Sequence, residues 1–254
     1  MQRSAVDIKT RDGVADGYLV RPQGNGPYPG VLLFMDAFGI RPRLEEMADR
    51  IAERGYAVLV PNLLYRSGRS PLIDLDGLTD PDRRGEIFGK VMPMIGELTR
   101  ERVISDAQSY LDFMGDAPGF DPGPVVAVGY CMGGRNAFVA AQGHPGRIKA
   151  VASFHAGGVV TDQPDSPHRH VGVLSGTGFE AYFGHADNDG SMTPANIAAL
   201  EAALDDAGIT YTSELYQGAP HGFTMSDTAM YHEQGEKRHW ARLFDLLDRV
   251  HPAS

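Results

Sequence analysis

The chain has 254 residues, of which 42% are hydrophobic, and its 33 acidic and 23 basic side chains give a formal net charge of −10. This composition excludes a disordered chain, and we expect residues 1–254 to form a single α/β domain. The negative charge repels nucleic-acid phosphates and anionic lipid headgroups, so neither is an expected partner.

The N-terminal region gives two expectations. Residues 1–10 are polar and lack the basic and apolar segments of a secretory signal, and no window of the chain reaches the roughly 18 apolar residues that span a bilayer. We therefore expect a cytoplasmic protein without a membrane partner. Two alternating stretches within 5–20 flank Arg11-Asp12-Gly13, which predicts an antiparallel hairpin at a sheet edge.

The rest of the chain alternates short apolar runs with amphipathic segments, a pattern typical of a mostly parallel sheet flanked by helices on both faces. Buried strands are predicted at 30–35, 56–60, 125–129, 148–154, 182–185 and 211–216. Apolar residues at helical spacing predict helices around 44–51, 103–114, 197–204 and 240–247, and a further helical stretch at 135–142 follows the single cysteine. The segments 66–94 and 159–177 are rich in Gly, Pro, Ser and Asp, and they are predicted to be loops or lids.

The sequence around the single cysteine predicts a nucleophile elbow. Cys131 follows the strand predicted at 125–129, and Gly129 and Gly133 flank it at the spacing that permits a strained strand-to-helix turn. At a helix N-terminus, backbone N–H groups and the helix dipole favour a thiolate, and the N–H of Met132 can face a developing oxyanion. The alternative is a buried, inert cysteine. The flanking glycines argue against it, because glycine is unfavourable at the start of a packed helix.

His221 is the candidate base. It lies in Gly218-Ala219-Pro220-His221-Gly222-Phe223, directly after the strand predicted at 211–216. In the elbow fold the chain order is nucleophile, acid, histidine, and the histidine lies in the loop after the last strand. His221 fits that order, whereas the other eight histidines are interpreted as structural or surface residues.

Two aspartates are candidates for the acid, because both follow the strand predicted at 182–185. We prefer Asp189, which lies in the loop before the helix that begins near Pro194, over Asp187, which lies nearer the strand. The spacing of His185, Asp187, Asp189 and Gly190 is similar to that of a calcium loop. It lacks the first aspartate and the last glutamate of such a loop, so no metal site is predicted.

Together these residues resemble the dienelactone hydrolase family, a branch of the α/β-hydrolase fold that uses Cys, His and Asp. The resemblance covers about residues 5–250, and its landmarks lie at 35–39, 55–58, 61–65, 129–134 and 218–223. It implies that Cys131 attacks an ester or lactone carbonyl to form an acyl-enzyme, that His221 relays the proton and that Asp189 holds the imidazole. It also implies an oxyanion hole made by the backbone N–H groups of Ala37 and Met132, and no metal or organic cofactor.

Two departures from the family pattern concern activation and substrate binding. Asp36 stands where the best-known members have a glutamate that interacts with the resting thiol, and we expect Asp36 to take that place. Those members also have an arginine for a substrate carboxylate a few residues after the catalytic histidine, but this chain reads Phe223-Thr224-Met225-Ser226 there. Arg83 or Arg84 in the predicted lid are the alternative cations.

The leading hypothesis is a cysteine-dependent, carboxymethylenebutenolidase-like hydrolase of a small ester or enol lactone, monomeric or weakly dimeric. A second hypothesis from the same fold is a thioesterase or peptidase. A third, from a different class, is a ligand-binding or redox-sensing protein in which Cys131 is a contact or an oxidisable thiol. The trio of Cys131, His221 and an acid in triad order favours the enzyme, because a binding protein has no need of it.

Overall fold

The computed structural model describes residues 1–73 and 80–252, except for the side chains of residues 81, 82 and 84. Its strands are β1 (Gln2–Thr10), β2 (Gly13–Arg21), β3 (Gly30–Phe34), β4 (Ala57–Pro61), β5 (Val125–Tyr130), β6 (Ile148–Phe154), β7 (Glu180–Ala186) and β8 (Thr210–Tyr216). Its α-helices are α1 (Pro42–Ala52), α2 (Pro81–Gly96), α3 (Arg100–Asp116), α4 (Met132–Gly143), α5 (Pro194–Asp206) and α6 (Glu233–Val250).

All of these strands belong to one sheet, in the order β1-β2-β4-β3-β5-β6-β7-β8. The strands β3 to β8 pair in parallel, whereas β2 pairs antiparallel with both β1 and β4. The predicted α/β class, the mostly parallel sheet and the N-terminal hairpin are therefore confirmed. Every residue of β3, β4 and β5 is buried, because helices cover both faces of the central strands, and this burial explains their continuous apolar sequences.

Apart from α2, the helices lie where the sequence predicted them. On α1 the spacing of Leu44, Met47, Ala48 and Ile51 forms a stripe that is fully buried against the sheet. The start of α5 is fixed by Thr193, whose side-chain oxygen accepts a hydrogen bond from the backbone N–H of Asn196 at 3.3 Å. Among the helices within the described ranges, none is both long enough and apolar enough to cross a membrane.

The prediction of a loop at 66–94 was wrong for the second half of that segment, because α2 begins at Pro81. Gly85, Gly89 and Pro93 are poor helix formers, and they gave this segment its loop-like composition. Ile87 and Val91, one helical turn apart, are both buried, and their packing overrides the unfavourable local propensity. Residues 74–79 of the predicted loop lie outside the described residues.

The second predicted loop, 159–177, contains a 3₁₀-helix at Pro167–Leu174. Two of its apolar side chains, Val171 and Leu174, are buried, so this segment covers part of the core rather than standing away from it. The loops that follow β3, β5, β6, β7 and β8 all leave the carboxyl edge of the sheet, where open parallel sheets form their binding sites.

Candidate active site

Cys131 occupies a strained turn between β5 and α4. Its backbone lies at φ 55° and ψ −122°, a conformation that costs a non-glycine residue roughly 1–3 kcal/mol. A Cβ atom on Gly129 would overlap the carbonyl oxygen of Gly133, and one on Gly133 would overlap the carbonyl oxygen of Phe34. The chain can therefore make this turn only with glycine at both flanking positions, as the motif predicted.

The thiol, the imidazole and one carboxylate form a continuous hydrogen-bonded line. The Nε2 atom of His221 lies 3.0 Å from the Sγ atom of Cys131, and its Nδ1 atom lies 2.6 Å from an oxygen of Asp189. The three residues follow β5, β8 and β7, three different strands whose carboxyl ends meet at one edge. This arrangement matches a nucleophile, a base and an orienting acid.

The structure brings Asp189 to His221 and holds Asp187 elsewhere. One oxygen of Asp189 faces the imidazole, and the other accepts hydrogen bonds from the backbone N–H and the hydroxyl of Ser191, at 2.8 and 2.6 Å. The carboxylate of Asp187 instead accepts the backbone N–H of Gly218 at 2.8 Å and so fixes the start of the loop that carries His221. Of the two candidates, Asp189 has the geometry of an orienting acid.

The protonation of this line follows from its contacts. Burial alone would lower the pKa of His221, but its hydrogen bonds to Asp189 and Cys131 and their charges raise it to about 10. Burial alone would raise the pKa of Asp189, but its hydrogen bond to His221, the charge of that ring and the bonds from Ser191 lower it to about 2. At neutral pH the site therefore favours an imidazolium on His221 beside an ionised Asp189.

The two expected oxyanion donors, Ala37 and Met132, belong to the two chain segments that meet at Cys131. Ala37 follows β3 and lines the same pocket as Cys131. Met132 is the first residue of α4, and the first N–H groups of a helix have no acceptor within the helix itself. Because the donor at each position is a backbone N–H group, this role does not require a particular side chain at Ala37 or Met132.

Asp36 does not make the contact that the family resemblance implied. Its two carboxylate oxygens accept hydrogen bonds from Arg41 at 2.7 and 3.0 Å, and one also accepts the backbone N–H of Phe38. The same guanidinium binds both oxygens of Asp227, at 2.5 and 3.2 Å. Across the described residues, no hydrogen bond joins Asp36 to the thiol, because Arg41 already occupies both of its oxygens.

His155 is a site residue that the sequence analysis did not single out. It is fully buried at the end of β6, with φ 39°, and its Nε2 atom lies 2.8 Å from the hydroxyl of Thr224. Its ring packs edge-on against His221, with the ring centroids 5.4 Å apart. Burial, followed by the neighbouring charges of His221 and His239, holds the pKa of His155 well below its ordinary value. Its place at the carboxyl end of the strand beside β5 was the signal that could have indicated it.

The thiol opens into a pocket with an apolar wall, which we define as Ala37, Phe38, Phe88, Met225 and Met230. Phe38 and Phe88 meet edge-to-face with their centroids 5.4 Å apart, so α2 contributes to the site as a helix rather than as a loop. Among the described residues that line the pocket there is no Lys or Arg. Arg83 is exposed on α2 and is not one of the lining residues, and the side chain of Arg84 lies outside the described residues.

Comparison with known proteins places these features in a family context. Residues 15–251 match the sequence model of the Dienelactone hydrolase family. The chain is 26% identical over 250 residues to a Synechocystis sp. protein provisionally named carboxymethylenebutenolidase, an alignment that covers 97% of this chain and 96% of that protein. It is 24% identical over 241 residues to the carboxymethylenebutenolidase of Rhodococcus opacus, covering 91% of this chain and 85% of the relative.

Solved structures agree with the sequence matches at the level of the fold. A crystal structure from Klebsiella pneumoniae, provisionally named dienelactone hydrolase, superposes with a TM-score of 0.81 at 22% identity, covering 96% of this chain and 97% of the other. A further structure, from metagenomic libraries and described as a dienelactone hydrolase-like promiscuous phosphotriesterase, superposes with a TM-score of 0.78 at 21% identity. Both likenesses support the α/β-hydrolase fold.

Proposed function

The chain belongs to the dienelactone hydrolase family, and from this premise we propose that it hydrolyses a small carboxylic ester or enol lactone through a triad of Cys131, His221 and Asp189. The observation that carries the proposal is the hydrogen-bonded line from the sulfur through the imidazole to the carboxylate, with the sulfur on a strained turn. The curated relatives named carboxymethylenebutenolidase support a lactone or ester as the substrate class.

In the first half of the reaction the sulfur attacks the carbonyl carbon. His221 holds the thiol proton, a C–S bond forms, and the carbonyl electron pair moves onto oxygen. The backbone N–H groups of Ala37 and Met132 stabilise the resulting oxyanion. When the carbonyl re-forms, the C–O bond to the leaving group breaks and His221 gives its proton to the departing oxygen. The product is a thioester on Cys131.

In the second half water replaces the leaving group. His221, now neutral, takes a proton from water while the water oxygen attacks the thioester carbon, and the collapse of the second oxyanion releases the carboxylic acid and restores the thiol. With a lactone the leaving oxygen remains attached to the acyl group, so one ring-opened product results. Asp189 keeps the imidazole in the required orientation and stabilises its protonated form in both halves.

The test follows hydrolysis of a dienelactone and of p-nitrophenyl acetate by ultraviolet absorbance, with the wild type and Cys131→Ala. We expect turnover of at least one substrate by the wild type and a loss of about 10⁴-fold or more in the variant, the size typical of removing a triad nucleophile. Circular dichroism establishes that the variant is folded. Peptide mapping after rapid acid quench should locate the acyl group on Cys131.

The outcomes separate the candidate functions. Turnover that persists in Cys131→Ala would exclude the cysteine as nucleophile. Absence of turnover by the wild type with both substrates, together with an alkylatable thiol, would favour the binding or redox-sensing alternative over the enzyme.

A further inference from the structure

The charges around the nucleophile are unbalanced towards the negative. Three carboxylates lie on the loops that form the site, those of Asp36, Asp189 and Asp227, and one guanidinium, that of Arg41, lies among them. The pair formed by Cys131 and His221 adds no net charge, whichever of the two holds the proton. An anionic substrate group entering here would therefore meet a net negative field.

Arg41 is not available to a substrate, although it lies at the site. Its side chain is 2% exposed, and its nitrogens are bound by Asp36, by Asp227 and by the carbonyl oxygen of Gly39. A substrate carboxylate could reach this guanidinium only by displacing one of two carboxylates that already bind it in a bidentate manner. The next guanidinium along α1, Arg43, is likewise bound by Glu236 and by the carbonyl oxygen of Thr224.

Two neutral polar groups of the lining are also occupied, whereas the buried Nδ1 atom of His155 has no hydrogen-bond partner among the described residues. The Nε2 atom of His155 is hydrogen-bonded to Thr224, and the hydroxyl of Thr228 donates to the carbonyl oxygen of Met225 at 3.0 Å. The remainder of the described lining is mainly the apolar wall. A carboxylate placed against it would lose its hydration without gaining a partner, which is costly.

We propose that this pocket selects uncharged acyl esters and discriminates against substrates that carry a carboxylate close to the scissile bond. The inference rests on the proposed hydrolase function and names the substrate class of that same site. Asp227 lies six residues after His221, so the loop that follows the imidazole carries a carboxylate and not a cation for a substrate carboxylate. The apolar wall fits a short alkyl or aryl acyl group.

The experiment compares three substrates with one leaving group. These are p-nitrophenyl valerate, the mono-p-nitrophenyl ester of glutarate, and the methyl ester of that second compound, which restores neutrality while keeping its polar end. After subtraction of spontaneous hydrolysis, we expect kcat/KM to be about 100-fold lower for the anionic ester than for valerate, because its charge finds no partner. The methyl ester should stay within about 5-fold of valerate, which separates charge from size.

A matched pair of variants tests the physical cause. Thr228→Lys adds a cation to the lining, and Thr228→Gln adds comparable bulk without charge. We expect the lysine variant to raise the anionic-to-neutral ratio of kcat/KM by about 10-fold relative to the glutamine variant. An unchanged ratio between these two folded variants would overturn the electrostatic explanation.

Alkylation of Cys131 tests the charge preference of the pocket without requiring substrate turnover. Iodoacetamide and iodoacetate are alkylating reagents of similar size that differ in charge. The ratio of their rates with the free thiol of glutathione serves as the reference. We expect iodoacetate to react with Cys131 at least about 10-fold more slowly than that ratio predicts, because the site repels anions. Equal hydrolysis of the charged and neutral esters, or a normal iodoacetate ratio, would overturn the inference while leaving the hydrolase intact. Loss of both hydrolysis and alkylation would overturn the proposed function and the inference together.

Discussion

The turn that carries Cys131 and the helix α2, which supplies Phe88 to the pocket, contain glycines for opposite reasons. At Gly129 and Gly133 an added Cβ would overlap backbone carbonyl oxygens, so the strand, the turn and α4 are in direct main-chain contact. At Gly85 and Gly89 of α2 an added Cβ would meet none of the described atoms within 4 Å. The proposed nucleophile Cys131 is thus positioned by backbone packed against backbone, whereas the apolar wall beside it is held by a few side chains.

In the proposed function, this difference separates the part of the site assigned to the chemistry from the part assigned to substrate selection. Backbone contacts fix the turn that carries Cys131, and the imidazole of His221 is hydrogen-bonded both to its sulfur and to Asp189. The wall can change its side chains without disturbing that geometry. We expect changes at the turn to abolish activity and changes on α2 to alter substrate preference.

The largest expected effect comes from exchanging glycine for alanine in each region. Gly133→Ala should lose more than about 3 kcal/mol of unfolding free energy, and with it all activity, because the new methyl group overlaps the main chain of Phe34. Gly89→Ala should raise the unfolding free energy by up to about 1 kcal/mol, because alanine is the better helix former. Urea denaturation measures the unfolding free energy of the two variants, and p-nitrophenyl ester hydrolysis measures their activity. Equal stability and activity of the two variants would contradict the difference between the turn and α2.

The next effect concerns the two aspartates of the loop after β7. Asp189→Asn should lower kcat by about 10³ to 10⁴-fold, because the amide cannot support the imidazolium. Asp187→Asn should stay within about 10-fold of the wild type, since this residue only binds the backbone N–H of Gly218. Steady-state kinetics of the two variants measures kcat, and thermal denaturation establishes that both are as stable as the wild type. The reverse ranking of kcat would assign the acid to Asp187.

A smaller effect is expected on the wall. Phe88→Ala removes the aromatic partner of Phe38, so an acyl chain loses apolar contact in bound and transition states alike. The lost apolar burial is worth roughly 1–2 kcal/mol, so KM for p-nitrophenyl valerate should rise by about 5- to 30-fold while kcat remains within about 3-fold. Phe88→Leu serves as the control that keeps most of the apolar volume. A large fall in kcat would show that α2 also positions the catalytic groups.

A further prediction concerns the pH dependence of stability. Folding raises the pKa of His221 from 6.5 to about 10, so its contribution is complete below pH 6.5 and is lost as the pH rises towards 10. Folding lowers the pKa of Asp189 from 3.8 to about 2, so its contribution is complete above pH 3.8 and is lost as the pH falls towards 2. Urea denaturation across these windows should show a weaker pH dependence in His221→Gln, at the alkaline end in particular.

Much of the site follows from local sequence, and particular residues show why the rest does not. The motif around Cys131 predicted its turn because glycines at both flanking positions after an apolar strand are a local signal of a strand-to-helix turn. His221 followed from its position after the last strand. Asp189 and Asp187 were both eligible because each stands in the same loop, and only the direction of the side chains, set by Ser191 on one and Gly218 on the other, separates them.

The sequence by itself determined the α/β class, the order of most strands and helices, and the candidate trio, because hydrophobic period and turn chemistry are local properties of the chain. Only the tertiary structure decided that Asp36 binds Arg41, that His155 packs on His221 and that 81–96 is a helix. Arg41 and Asp227 are 186 residues apart in sequence, and ion pairs and packing at such separations depend on which loops the sheet brings together. The charge of the pocket, and with it the expected choice of substrate, is therefore a property of the folded chain.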